Sequence, residues 1–182
     1  QIVFILAFGI RSFGRKNVPA KGGALLACNH QRFLDPMAVG LCLGRQVHYL
    51  ARDSLFRTPG FGWLIRSVNA FPVKRDTVDL AAVKESLRRL KTGQLLLLFG
   101  EGTRTHDGRI AALQPGMAMM ARRTKVPLVP VVIDGAFEAW PRNKKIWSLH
   151  TILVMYGQPI TTKQIANLSD KDAVQIIYQR QQ

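Results

Sequence analysis

Short apolar runs alternate along the chain with segments whose apolar residues recur every three or four positions. That pattern predicts buried strands interleaved with helices. Residues 22–29 open on Gly22 and Gly23, pass through an apolar run and end on polar residues, as a buried strand would. Asp35-Pro36 predicts a helix start, with Asp35 as N-cap and Pro36 at the first helical position, running to about Gly44. A strand is expected at 47–51, a helix at 59–68 and a strand at 69–73. Residues 77–91 give the clearest helix. Leu80, Val83, Leu87 and Leu90 form one apolar stripe, Lys84, Arg88 and Lys91 face out, Asp76 stands as N-cap and Gly93 ends it. Residues 94–99 read as a buried strand, 115–123 as a helix, 128–133 as a strand and 146–156 as one or two strands. Ser169 to Asp172 resembles a capping box that opens a last helix. No repeat or linker interrupts the series. It predicts a single α/β domain with a central, mostly buried mixed sheet flanked by helices.

The first residues break the alternation. Residues 1–10 are almost wholly apolar, and Arg11, Arg15, Lys16 and Lys21 follow at once. Ten apolar residues are too few to span a bilayer. An apolar stretch beside a basic cluster suits an anionic lipid surface, and an ordinary core helix with a solvated basic end is the competing reading. The division expected is 1–21 as an apolar, basic membrane-docking segment that opens on an apolar helix, and 22–182 as the α/β domain proper. The chain starts with Gln1, so a longer apolar segment is expected upstream. The charges follow the apolar run instead of preceding it, which disfavours a secretory signal.

Composition sharpens this picture at one point. The 182 residues carry 26 Lys+Arg against 11 Asp+Glu, a formal net charge of +15. No acidic residue precedes Asp35, and a second acid-free run between Glu138 and Asp170 carries Arg142, Lys144, Lys145 and Lys163. Such charge predicts a polyanionic partner: nucleic acid, a phospholipid surface or a phosphorylated substrate. No nucleic-acid motif with interleaved aromatics occurs, so nucleic acid is set aside. Cys28 and Cys42 lack disulfide-scaffold or metal-ligand spacing and read as small buried apolar residues.

Polar residues gather where strands should end, the place where α/β sheets build their sites. The first such segment runs from Asn29 to Pro36. If Asp35 accepts a hydrogen bond from one imidazole nitrogen of His30, the other becomes a proton acceptor, and His30 is a candidate general base. With no nucleophilic Ser or Cys beside it, the pair suits activation of a substrate hydroxyl. Asp35 acting only as a helix cap is the plainer alternative. The second segment holds Lys74 and Arg75, which suit a phosphate or a solvated surface. The third runs from Phe99 to Thr105. Gly100 and Gly102 permit close backbone approach, and Thr103 and Arg104 are donors. Glu101 fits a phosphate loop poorly unless it orients Arg104 or another basic residue, and a surface hairpin helped by Asp107-Gly108 competes. A fourth segment, Val126 to Val132, is a strand bracketed by prolines.

In this order the four segments resemble the sequence blocks of the glycerolipid acyltransferases, whose best-known members are 1-acylglycerol-3-phosphate acyltransferases. Asn29, His30 and Asp35 match N-H-x-x-x-x-D. Phe71 and Arg75 match the second block. Phe99, Glu101, Gly102, Thr103 and Arg104 match F-P-E-G-T-R-S, and Val126, Pro127, Pro130 and Val131 match the fourth. Three positions depart: Arg32 stands where Ser is common, Gly100 for Pro and Thr105 for Ser. Arg32 adds a cation that would contact a phosphate or point into solvent.

The resemblance implies that His30, oriented by Asp35, deprotonates the sn-2 hydroxyl of 1-acylglycerol 3-phosphate for attack on an acyl thioester. It implies that Arg75 holds the acceptor phosphate, with Lys74, Glu101, Gly102, Thr103, Arg104 and Arg32 around the substrates. It implies no cofactor and no metal, because a thioester is already activated. The donor would be acyl-CoA or acyl carrier protein. The partner would be an anionic phospholipid membrane, met at its cytoplasmic face.

Overall fold

The computed structural model describes residues 9–32, 34–74, 79–105, 116–139, 150–166 and 168–181. The expectations for residues 1–8, Arg75, Asp107-Gly108 and residues 142–149 lie outside the described residues. Among the described residues the strands are β1 (Arg11–Phe13), β2 (Ala24–Cys28), β3 (Val47–Arg52), β4 (Ala70–Val73), β5 (Leu95–Phe99), β6 (Leu128–Asp134) and β7 (Leu153–Tyr156). They form one sheet in the order β1-β7-β6-β2-β5-β3-β4. Every pairing is parallel except β6 with β7. The expected mixed sheet is therefore present, with β2 at its centre.

Both faces of β2 are covered, which explains its unbroken apolar run. Ala24, Leu26 and Cys28 point to one face, packed with Leu95, Leu97, Val129 and Val131 and with Ala38 and Val39 of helix α1 (Asp35–Leu41). Leu25 and Ala27 point to the other, with Leu96, Leu128 and Phe71. Helices α2 (Phe61–Ser67), α3 (Leu80–Lys91), α4 (Gly116–Thr124), α5 (Ala136–Ala139), α6 (Thr162–Ala166) and α7 (Asp170–Gln179) complete the layers. Leu90, Met117, Met120, Ile165 and Ile177 from α3, α4, α6 and α7 close the second face.

Several boundaries move for local reasons. Helix α3 is capped by Asp79, whose carboxylate accepts the Ala82 N–H at 3.0 Å and the Lys74 N–H at 2.9 Å. The expected cap Asp76 lies outside the described residues, and the helix starts at Leu80. Leu80 is consequently the first helical residue and 74% exposed, so the core-facing stripe is Val83 and Leu87, both half-buried, and the buried Leu90. Ser169 caps α7 as expected: its hydroxyl accepts the Asp172 N–H at 3.2 Å and pairs with the Asp172 carboxylate. The short α5 and α6 were not expected, being shorter than the window in which a 3.6 period shows.

The larger correction concerns the start of the chain. Arg11–Phe13, expected in the basic part of the docking segment, form the edge strand β1, paired with Leu153–Met155. Among the described residues no helix is long and apolar enough to cross a membrane. The register also separates charges that were expected to act together. Arg11 is level with Leu153, and Leu153 with Asp134, which puts Arg11 at the carboxyl end of β6. From there the chain runs to the opposite end of the parallel strands. Arg15 donates to the Cys42 carbonyl just past α1, and Lys21 precedes Gly22 at the amino end of β2. Arg45 stitches that end by donating to the carbonyls of Pro19, Gly22 and Gly93.

One buried histidine gives the domain a pH dependence. His48 of β3 meets the Arg89 guanidinium, which also lies over the Phe71 ring and pairs with Glu85 at 2.7 Å. Burial first, and then the Arg89 cation, hold its pKa below the ordinary 6.5. The unfolded chain then binds more protons than the folded one across that window. The His48 contribution is intact above about pH 6.5 and is lost as pH falls below it. A His48→Gln variant is expected to lose less melting temperature than the wild type between about pH 7 and 5, read by calorimetry.

Candidate functional site

The centre of the molecule's polar chemistry lies at the carboxyl end of β2. Asn29 ends the strand and is 2% exposed. Its amide donates to the Ile133 carbonyl at 2.9 Å and accepts the Ile133 N–H at 2.8 Å. This reciprocal pair clamps the ends of β2 and β6 and sets the direction in which the next residue leaves the sheet. Asn supplies both donor and acceptor in one planar group, which neither Asp nor Leu can do.

His30 follows, 8% exposed. Its backbone is held from two sides by the turn after β5. Its N–H donates to Glu101 Oε1 at 3.0 Å, and its carbonyl accepts the Thr105 N–H at 2.7 Å. The ring stacks on Phe99, with centroids 3.9 Å apart and planes 17° from parallel. Its Nδ1 lies 2.8 Å from Asp35 Oδ2. A carboxylate only accepts, so Nδ1 is the donor, and in the neutral ring this leaves the lone pair on Nε2.

Asp35 is fully buried. Its Oδ2 also accepts the Gln31 N–H at 2.6 Å and the Arg32 N–H at 2.7 Å. A buried carboxylate is tolerable only with such donors, and bonds to a charged acceptor are short and strong. Asp35 therefore does not cap α1. It lies within the first helical turn, Leu34 is the N-cap, and no side chain caps the helix. The carboxylate turns back onto the loop it follows and holds the imidazole in place.

Arg32, expected to reach a phosphate or solvent, is 5% exposed. Its guanidinium lies 3.9 Å over the Phe137 ring and donates to the Gln31 carbonyl at 3.0 Å. The Gln31 side chain in turn accepts the Phe137 N–H at 3.1 Å, so the start of α5 supports the loop. Glu101 is 7% exposed and faces inward, onto His30. Gly102, Thr103 and Arg104 are exposed on the turn beyond it. Gly102 has φ 70° and donates to the Phe99 carbonyl at 3.1 Å, a turn conformation that disfavours any residue with a Cβ. Lys74 is exposed at the end of β4, on the far side of β5 and β3 from β2. Arg75 lies outside the described residues.

The structure thus brings His30, Asp35, Glu101 and Arg32 into one buried cluster, leaves Thr103 and Arg104 exposed on the adjoining turn, and places Lys74 three strands away at the end of β4. Asn29 and Phe99 lay inside recognised segments, but their roles appear only when β2, β5 and β6 are neighbours. Gln31 and Phe137 carried no sequence signal, being 106 positions apart. Cys28, beside the cluster, is no nucleophile: burial, and then the Asp35 and Glu101 charges, push its thiol well above the ordinary range.

A buried His–Asp pair at the strand ends of an α/β sheet can accept a proton from a hydroxyl. Comparison with known proteins gives the same class. The Acyltransferase family model matches residues 9–134, and the chain belongs to that family. It is 28% identical over 173 residues to 1-acyl-sn-glycerol-3-phosphate acyltransferase from Bacillus subtilis, covering 94% of this chain and 84% of that protein. It is 29% identical to the chloroplastic enzyme LPAT1 of Arabidopsis thaliana, covering 81% of this chain but 42% of the plant protein. The fold superposes with a TM-score of 0.79 and 25% identity on the crystal structure of the 1-acyl-sn-glycerophosphate acyltransferase PlsC from Thermotoga maritima. That match covers 93% of this chain and 68% of the other.

Proposed function

We propose that this acyltransferase moves a fatty acyl group from an acyl thioester to the sn-2 hydroxyl of 1-acylglycerol 3-phosphate, producing phosphatidic acid. The observation that carries the chemistry is His30 Nδ1 held 2.8 Å from Asp35 Oδ2. The names of the relatives support the acceptor. His30 Nε2 takes the hydroxyl proton as the oxygen attacks the thioester carbonyl carbon. The tetrahedral oxyanion collapses, the C–S bond breaks, and the thiolate receives the proton back from the imidazolium. No enzyme-bound acyl group is required, in keeping with the protonated Cys28 thiol.

Glu101 serves as a positioning residue for the His30 backbone, while Arg75, Lys74, Thr103 and Arg104 meet the substrate phosphates and Gly102 lets them approach the backbone. Acyl-CoA and acyl carrier protein both present the thioester required. The acceptor is a lipid, so the reaction takes place at an anionic membrane, on the cytoplasmic face where those donors occur.

Free-thiol release from acyl-CoA and from acyl carrier protein, measured against a panel of lysolipids, tests the assignment. Lysophosphatidate is expected to turn over fastest, and a faster choline- or amine-headed lysolipid would move the chain to another acceptor class. Arg75→Ala is expected to raise the acceptor KM about tenfold or more and leave the donor KM unchanged, because a charge-assisted phosphate contact is lost. An unchanged acceptor KM removes Arg75 from the phosphate site.

A further inference from the structure

The carboxyl end of the sheet carries a second unusual surface, away from the His30 loop. Strand β3 leaves the sheet at Arg52. Tyr49 pairs with Leu97, so Arg52 stands level with the Gly100 turn of the site. A 3-10 turn, Asp53–Arg57, follows and α2 folds back on it. Gly62 makes the packing close: a Cβ there would collide with the Phe56 carbonyl. The Gly62 N–H donates to the Thr58 carbonyl at 2.9 Å. With Gly62 turned inward, α2 presents Trp63 and Leu64 outward, while Phe61 and Ile65 are half-buried. Trp63 is 74% exposed and Leu64 50%.

The surroundings are basic. Arg52, Arg57 and Arg66 are all exposed on this element. Its one acidic residue, Asp53, pairs with Arg57 through a single guanidinium nitrogen at 3.0 Å, and three arginines against one carboxylate leave the element net positive. Arg66 is held 4.7 Å over the Phe56 ring, which fixes a cation beside the exposed apolar pair. Tryptophan with an aliphatic neighbour, ringed by arginines, matches the layered chemistry of a bilayer interface: acyl chain, then carbonyl region, then phosphate.

We propose that the 53–57 turn and α2 form a membrane-docking element that inserts Trp63 and Leu64 into the interface of an anionic phospholipid bilayer. Arg52, Arg57 and Arg66 sit on lipid phosphates. The charge excess selects lipid over a second copy of this chain, which would bring the same arginines against each other. The element lies at the site end of the sheet, whereas Arg15 and Lys21 lead to the opposite end. Docking through α2 therefore presents the His30 loop to the lipid layer. The proposal rests on the lipid-acceptor reading for its purpose, but its measurement needs no substrate.

The test is sedimentation of the full chain with vesicles of phosphatidylcholine, with and without about one third phosphatidylglycerol. Trp63→Ser with Leu64→Ser is expected to lower partitioning onto the anionic vesicles about tenfold or more. Arg57→Gln with Arg66→Gln is expected to lower it by a similar factor on anionic vesicles and not on neutral ones. Acyl-chain-brominated lipid should quench wild-type fluorescence more than that of Trp63→Phe. Melting temperatures should be unchanged, since the altered side chains are exposed. Equal partitioning of wild type and Trp63→Ser/Leu64→Ser overturns the proposal. So does a wild-type dimer in ultracentrifugation that the double variant loses, which would assign the face to a second copy. Thiol release is read separately with detergent-dispersed substrates. Its absence in the wild type would sink the proposed reaction and leave the partitioning result standing.

Discussion

His30→Ala is expected to lower kcat for thioester-dependent acylation by about 10²–10⁴-fold, the usual worth of a positioned general base. The argument is geometric. Nδ1 is committed to Asp35, the ring is stacked on Phe99, and the main chain is pinned by Glu101 and Thr105. Little in that arrangement can rotate, so Nε2 is presented in one direction. Removing the ring leaves Phe99 and the Asp35 carboxylate lining a void, and added imidazole should restore part of the lost rate. The acceptor KM should change little, because the ring is not assigned to phosphate binding. Rates for wild type and variant are compared by thiol release across pH. If His30→Ala turns over within a few-fold of the wild type, the proton leaves by another route and the mechanism fails.

Asp35→Asn should lose a comparable factor in kcat, by a different cause. The amide is the same size, so the fold can persist while the acceptor loses its charge. One oxygen now serves three N–H donors, from His30, Gln31 and Arg32, as a carboxylate. An Asn amide can keep the two backbone bonds with its oxygen, but without the charge that stabilises an imidazolium in the transition state. Turned the other way, its NH2 forces the Nδ1 lone pair inward and puts the proton on Nε2, the tautomer unable to act as base. Asp35→Ala should differ from Asn in stability. It leaves two buried loop N–H groups without their acceptor, at about 1–3 kcal/mol each. The paired measurement is kcat and urea midpoint for both variants. Variants that both match the wild type in stability and in kcat would show that the carboxylate is neither orienting His30 nor holding the loop.

Strands β2 and β5 were legible because each is a continuous apolar run too short for a helix and bounded by glycine, as burial on both faces of a sheet requires. Helix α3 was legible from its period, and Gly93 marked its end. Strand β1 was not. Three residues read Arg-Ser-Phe with the pattern exposed, half-buried, exposed, and nothing local distinguishes them from a basic linker. Their identity as a strand comes from β7, some 140 positions away, which supplies the hydrogen-bond partners. Leu80 failed in the opposite sense. It has the right spacing for the α3 stripe, but the Asp79 cap makes it the first helical residue, beyond the reach of the core.

The site divides the same way. The chemistry of His30 and Asp35 was readable, since a five-residue separation across a strand-to-helix turn allows contact. That Asp35 turns back on the loop instead of capping α1 was not, because both uses take the same residue at the same position. Glu101 was a misfit in a loop that looked made for phosphate, and its buried bond to the His30 N–H accounts for it. Arg32 looked like a free cation until Phe137 arrived beneath it.

By itself the chain determined the alternation of strands and helices, the buried sheet, the two residues of the acid–base pair and the family resemblance. These depend on local period, on side-chain type and on short spacing, all of which are properties of the chain before it folds. Only the tertiary structure decided which charges share a surface. Arg11 and Lys21 are ten positions apart yet at opposite ends of the sheet, while Arg52, Trp63 and His30 are distant in sequence yet at one end. Parallel register carries the chain across the sheet and back between strands, so charge clusters that are contiguous in sequence are divided in space, and a docking face is assembled from elements that never meet in the linear order.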